Sequence, residues 1–148
     1  MILISDLTIY ASLFFVSFAA ATILPLQSEA TLIGLLLTTA YPTSILLFIA
    51  SIGNIAGSFI NWTLGRSIEK YRYKSWFPFK EAALDKAQAF YLRHGKWTLL
   101  LSWMPIIGDP LTIIAGVMRV PILTFISIVA IAKTGRYLAV AWLVQPQL

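Results

Sequence analysis

The sequence predicts an all-α integral membrane protein: three long transmembrane helices and two opposed re-entrant helical hairpins arranged as an inverted repeat. Three observations predict it. The 148-residue chain carries 59% hydrophobic side chains against 11% charged ones, whereas soluble domains average about 25% charged. Uncharged apolar stretches run long enough to cross a bilayer, and the net charge of +5 falls in one segment. The chain has no cysteine, which excludes a disulfide framework and a cysteine-built zinc site, and its hydrophobicity excludes disorder.

A bilayer core of roughly 30 Å takes about 20 apolar residues. Residues 7–24 meet that length without a charge and predict the first span. A cleaved signal peptide is the competing reading, because Ala19-Ala20-Ala21 mimics a cleavage site. Asp6 stands where a basic lead would be, and the apolar run continues through Ile23 and Leu24, so the span is preferred. Residues 30–65 are also uncharged, but a single helix of that length would extend roughly 54 Å. Tyr41-Pro42 is the natural break, since proline disfavours helix in the residue before it. The break leaves a short apolar arm over 25–41 and a second span over 43–65.

Residues 66–96 hold eight of the eleven basic residues and three acids, which is the whole net charge. The positive-inside bias puts this segment in the cytoplasm, and the clustering makes +5 a topology label rather than a sign of nucleic-acid binding. Within it, residues 79–91 alternate apolar and charged positions at helical spacing, with Trp76, Phe77 and Phe90 as interfacial aromatics. That pattern predicts a short helix on the anionic leaflet, a solvated linker being the plainer alternative. Residues 97–118 are apolar but interrupted by Pro105, Gly108, Asp109 and Pro110, and 121–144 form the last span. The chain is thus one membrane domain: 1–65 as first repeat, 66–96 as basic loop, 97–148 as second repeat.

The repeat rests on two short matches. Pro25-Leu26-Gln27-Ser28-Glu29 and Pro105-Ile106-Ile107-Gly108-Asp109 each read proline, two residues, a small residue, then an acid, and Pro42 or Pro121 follows at similar distance. One full crossing separates the copies, so they would enter from opposite faces, the outline of transporters with broken helices meeting near the midplane. A proline beside an acid at membrane depth is tolerated only against protein or a water-filled cavity.

Charges in the last span sharpen this. Lys133 and Arg136 lie near its middle and share a helix face with Tyr137. A cation at that depth is costly unless paired or hydrated, and Glu29 and Asp109, one per hairpin, are the available acids besides Asp6. The four groups are expected to meet at the hairpin tips, either as an ion-pair lock or as a site that exchanges protons or holds an anionic headgroup. Arg66, Arg93 and Arg119 sit at the edges of apolar stretches and suit headgroups or the interface. Gly53, Gly57, Asn61 and Gly65 recur every four residues, a small-residue stripe that suits close helix packing, lining a polar path being the alternative, with Asn54 and Ser58 adding polarity beside it. The single His94 reads as interfacial, a proton relay being the alternative. No phosphate-binding glycine loop, nucleophile elbow or paired-histidine helix is present, so no enzyme activity, cofactor or metal is expected.

Taken with Arg93-His94-Gly95, Leu101-Ser102-Trp103-Met104-Pro105, Gly108-Asp109, Met118-Arg119 and Gly135-Arg136-Tyr137, these pieces resemble the YqaA branch of the DedA membrane proteins, which share the VTT domain. The first half agrees through Pro25-x-x-Ser28-Glu29 and Gly53-Asn54-x-x-Gly57. The better-known DedA pattern has arginines flanking the second-hairpin proline, where this chain has Ser102 and Gly108-Asp109. The resemblance implies a bacterial inner-membrane protein that moves lipid, either phospholipid or polyprenyl phosphate, between leaflets, with protons as a coupling partner. Glu29 and Asp109 would be the hairpin acids and Arg136 the cation. The alternatives are a small proton-coupled transporter of a water-soluble ion or drug, and a non-transporting scaffold; a headgroup enzyme ranks last.

Overall fold

The computed structural model describes residues 2–22, 27–71, 73–76, 80–105 and 107–144; Pro25, the expected break of the first hairpin, lies outside them. Among the described residues all regular structure is helical. In chain order the helices are α1 (Ile2–Ala20), α2 (Ser28–Leu37), α3 (Thr43–Arg66), α4 (Ile68–Tyr71), α5 (Glu81–His94), a 3-10 helix (Gly95–Trp103), α6 (Gly108–Val117) and α7 (Ile122–Val144). They form two compact units, Met1–Gly57 with Lys133–Leu148, and Ser58–Ala132. The unit boundaries cut through α3 and α7 rather than following the sequence repeat.

Two described helices, α3 with 24 residues and α7 with 23, are long and apolar enough to cross a membrane; the apolar part of α1, Ile4–Ala20, is shorter. Of the expected first span over 7–24, the described α1 carries the part up to Ala20, and residues 23–24 lie outside the described residues. The chain turns at Ala21 and Thr22, whose amides bond back to the Phe18 and Ala19 carbonyls, and the Thr22 hydroxyl adds a bond to Ala19. A hydroxyl that caps a carbonyl competes with continued helix.

In the first unit, α1 and α3 run in the same direction. Gly53 lies against the Phe14 carbonyl and Ser17, and Gly57 against the Phe18 carbonyl and Ala21. A side chain at either glycine would collide with α1 backbone, so only glycine permits this approach. Gly57 is nine residues short of the end of α3, so α1 runs out roughly 14 Å before α3 does. The core joins Leu13 of α1, Leu32 and Leu36 of α2, Leu46 and Ala50 of α3, and Tyr137 and Ala141 of α7.

In the second unit the basic segment is no free linker. Leu84, Ala87 and Tyr91 face inward at helical spacing on α5 and join Trp62, Ile68, Leu99, Leu111 and Phe125 in one cluster. Gly95, at φ 71°, turns α5 into the 3-10 helix. Nine residues is long for that form. Its three-residue period stacks Trp97, Leu100 and Trp103 as one exposed ridge and buries Thr98, Leu99 and Ser102. Gly108 then packs on the Ser102 backbone at the start of α6.

The arms α2 and α6 repeat in local structure. Each has ten residues, each is followed two residues on by a left-handed residue, Thr39 (φ 53°) or Arg119 (φ 55°), and each leads through Pro42 or Pro121 into a long helix. After α6, the Val120 amide reaches the Ala115 carbonyl and the Arg119 amide the Gly116 carbonyl, the Schellman closure that needs a left-handed residue.

Candidate functional site

The polar centre of the first unit lies where α2 begins. Arg136 Nη1 on α7 is 3.1 Å from Glu29 Oε1 in the first turn of α2, with the side chains 12% and 28% exposed. Negative charge is favoured at a helix N-terminus, so α2 helps to hold the Glu29 carboxylate. The guanidinium also lies over the Tyr137 ring at 5.0 Å, and its Nη2 donates to the Tyr137 hydroxyl at 3.4 Å.

Tyr137 is fully buried and is the node of the site. Asn54 Nδ2 on α3 donates to the Ser17 carbonyl at 3.2 Å and to the Tyr137 hydroxyl at 3.0 Å. A backbone carbonyl only accepts, so the Ser17 contact fixes the orientation of the amide. The Tyr137 oxygen therefore accepts from Asn54 and Arg136, and its own proton goes to Ser28 Oγ at 2.8 Å. Ser28 in turn donates to Glu29 Oε2 at 3.5 Å. The result is a directed chain from Asn54 through Tyr137 and Ser28 to Glu29, each member oriented by the one before it.

Of the four charges expected to meet, Glu29 and Arg136 are in contact. Lys133, one turn before Tyr137 on α7, is 1% exposed. Asp109 belongs to the other unit, half-buried in the first turn of α6, where its backbone carbonyl accepts the Thr112 hydroxyl at 2.7 Å. Both Lys133 and Asp109 are engaged in polar interactions. Pro110 is buried in the first turn of α6, a place where its missing amide is harmless, and Pro105 sits exposed in the turn before it.

The lower half of the small-residue stripe serves the second unit. Gly65 and Gly116 meet backbone to backbone, Gly65 on the Ile113 carbonyl and Gly116 on that of Trp62. Asn61 Nδ2 donates to the Thr112 hydroxyl at 3.1 Å. The Trp62 indole N–H donates to the Val120 carbonyl at 3.1 Å, and its ring stacks on Phe125. Arg66, exposed at the end of α3, covers that ring at 4.9 Å. Arg93 and Arg119 are exposed, at the end of α5 and after α6, and His94 stays exposed, bonded through Nδ1 to the Phe90 carbonyl and lying on its ring.

Ser28 and Trp62 carry roles that sequence reasoning missed. Ser28 reads only as the small residue before the acid, and its hydroxyl role depends on Tyr137, 109 residues away. Trp62 offers one signal: an indole inside an apolar span needs an acceptor.

Comparison with known proteins adds the following. The VTT domain family model matches residues 24–145. The chain is 39% identical over 132 residues to inner membrane protein YqaA of Escherichia coli (strain K12), covering 88% of this chain and 87% of the relative, and the Shigella flexneri protein of that name gives the same values. An uncharacterized protein of Haemophilus influenzae is 32% identical over 141 residues, covering 90% of this chain and 86% of that one. No solved structure matches the chain.

Proposed function

The chain belongs to the VTT domain family, and from that premise we propose that it is an inner-membrane transport protein that moves lipid between leaflets through the polar site at the start of α2. The observation that carries this reading is the Glu29–Arg136 pair, a charged contact at the N-terminus of a half-length helix with its acid still 28% exposed. A ten-residue helix is about 15 Å long, half of a hydrocarbon core of roughly 30 Å. On this reading α1, α3 and α7 are the three long transmembrane helices, α2 and α6 belong to the two opposed re-entrant hairpins that begin at Pro25 and Pro105, and residues 66–96 face the cytoplasm.

A lipid headgroup carries anionic phosphate oxygens, and a guanidinium binds them as well as it binds carboxylate. The headgroup takes the place of Glu29 on Arg136 while the acyl tails stay in lipid. Protons are the coupling partner: one entering from the aqueous side accompanies the displaced Glu29 carboxylate and leaves again when the Glu29–Arg136 pair re-forms. Lys133 supplies further charge for the path, and Arg66, Arg93 and Arg119 gather headgroups at the surface. Purified protein in liposomes of defined composition tests this: labelled phospholipid and labelled polyprenyl phosphate are each followed from leaflet to leaflet. A pH-driven flux of a water-soluble ion, with no lipid exchange, would favour a small-solute transporter instead.

A further inference from the structure

The arms α2 and α6 match in length and ending yet differ in how they are held. In α6, Gly108 and every residue from Pro110 to Gly116 are buried, and Gly116 touches α3 backbone to backbone. In α2 only Ser28, Leu32 and Leu36 are buried, and Gly34 has nothing within 4 Å of where a Cβ would stand. Close backbone contacts have no side-chain rotamers through which to give way, whereas a single side-chain hydrogen bond contributes little net stability. The polar ties described for the α2 side chains to the rest of its unit are Ser28 to Tyr137 and Glu29 to Arg136, both at one end. Its other end is the left-handed Thr39 turn into Pro42.

We infer that α2 is the moving arm of the site and that Tyr137 is the positioning residue that latches it, while α6 stays fixed on α3 within its own unit. Asn54 and Arg136 occupy the acceptor side of the Tyr137 hydroxyl, so its proton is committed to Ser28. Releasing α2 strands that proton, which makes the latched and released positions distinct rather than continuous. The inference rests on the transport reading only for what the motion is for; the motion itself is tested without lipid transport.

The chain has no cysteine, and Gly34 and Gly135 both have open space at the Cβ position. The full chain carrying Gly34→Cys and Gly135→Cys therefore accepts a pair of spin labels, and pulsed dipolar spectroscopy in lipid nanodiscs reads the distance from α2 to α7. The expected result is one main distance with a minor longer one, and a rise of roughly tenfold in the ratio of minor to main form with Tyr137→Phe, the effect of one lost hydrogen bond. Ser28→Ala should act in the same direction and decides the matter if Tyr137→Phe does not fold. A control pair at Thr63→Cys and Met118→Cys spans α3 and the residue that caps α6, and Thr112→Val should leave its distance unchanged. Unchanged 34–135 distances in both latch variants, or equal loosening of the control pair by Thr112→Val, would overturn the inference. Loosening of α2 with no lipid exchange by the unlabelled protein would support the latch and count against the transport reading.

Discussion

The amide of Asn54 decides where the proton of Tyr137 points, although 83 residues separate the two. Because the same Nδ2 also serves the Ser17 carbonyl, the amide cannot turn over, and Tyr137 is left with Ser28 as its acceptor. Asn54→Leu leaves the buried hydroxyl without one of its donors and should cost about 1–3 kcal/mol. Asn54→Asp should cost more, since a carboxylate there would draw the Tyr137 proton away from Ser28. Unfolding by titrated denaturing detergent measures both, and unchanged midpoints would remove the directed chain.

The helical glycines separate into two kinds. Gly65→Ala puts a methyl into the Ile113 carbonyl, and backbone must shift to admit it, a loss of about 1–3 kcal/mol. Gly34→Ala and Gly135→Ala meet open space in helices and should gain about 0.5–1 kcal/mol each through helix propensity. Thermal aggregation midpoints in one detergent give the order Gly34→Ala and Gly135→Ala above the parent, Gly65→Ala below it.

Charge order at the pair should be testable by exchange. Glu29→Arg alone sets two cations side by side and Arg136→Glu alone two acids, whereas the double swap restores an opposite-charge contact. Single variants should lose purified yield, with recovery in the double one, measured by monodispersity on size exclusion. A double variant no better than either single would show that the 3.1 Å contact contributes nothing to folding.

Burial pushes the Tyr91 phenol above its ordinary value of 10.0. A group raised in the folded state contributes stability that is complete below its unfolded value and is lost as pH rises through the folded one. The parent should therefore lose stability more steeply than Tyr91→Phe above about pH 10, and melting curves from pH 8 to 11 compare the two.

Much of this fold was legible in the apolar lengths and prolines. The expected spans 43–65 and 121–144 end within a residue of α3 and α7, because Pro42 and Pro121 leave few places for those helices to begin. The Glu29–Arg136 contact was legible from scarcity: few acids were available for a buried cation. What escaped depends on distance in space. The early end of α1 follows from the Thr22 hydroxyl and from packing on Gly57, neither of which apolar length reveals. The 3-10 helix left a trace in the three-residue spacing of Trp97, Leu100 and Trp103, readable only against the alternative helical period. The division of α3 and α7 between two compact units leaves no mark on composition.

Lipid exchange itself tests the central claim most directly. Protein reconstituted into liposomes, with fluorescent phospholipid or polyprenyl phosphate in one leaflet and a membrane-impermeant quencher outside, reports the rate at which label changes sides. The account predicts acceleration over protein-free liposomes by the parent for at least one of the two lipids, and a loss of roughly tenfold or more in folded Arg136→Ala and Glu29→Gln. No acceleration for either lipid, or full rates in both folded variants, would contradict it.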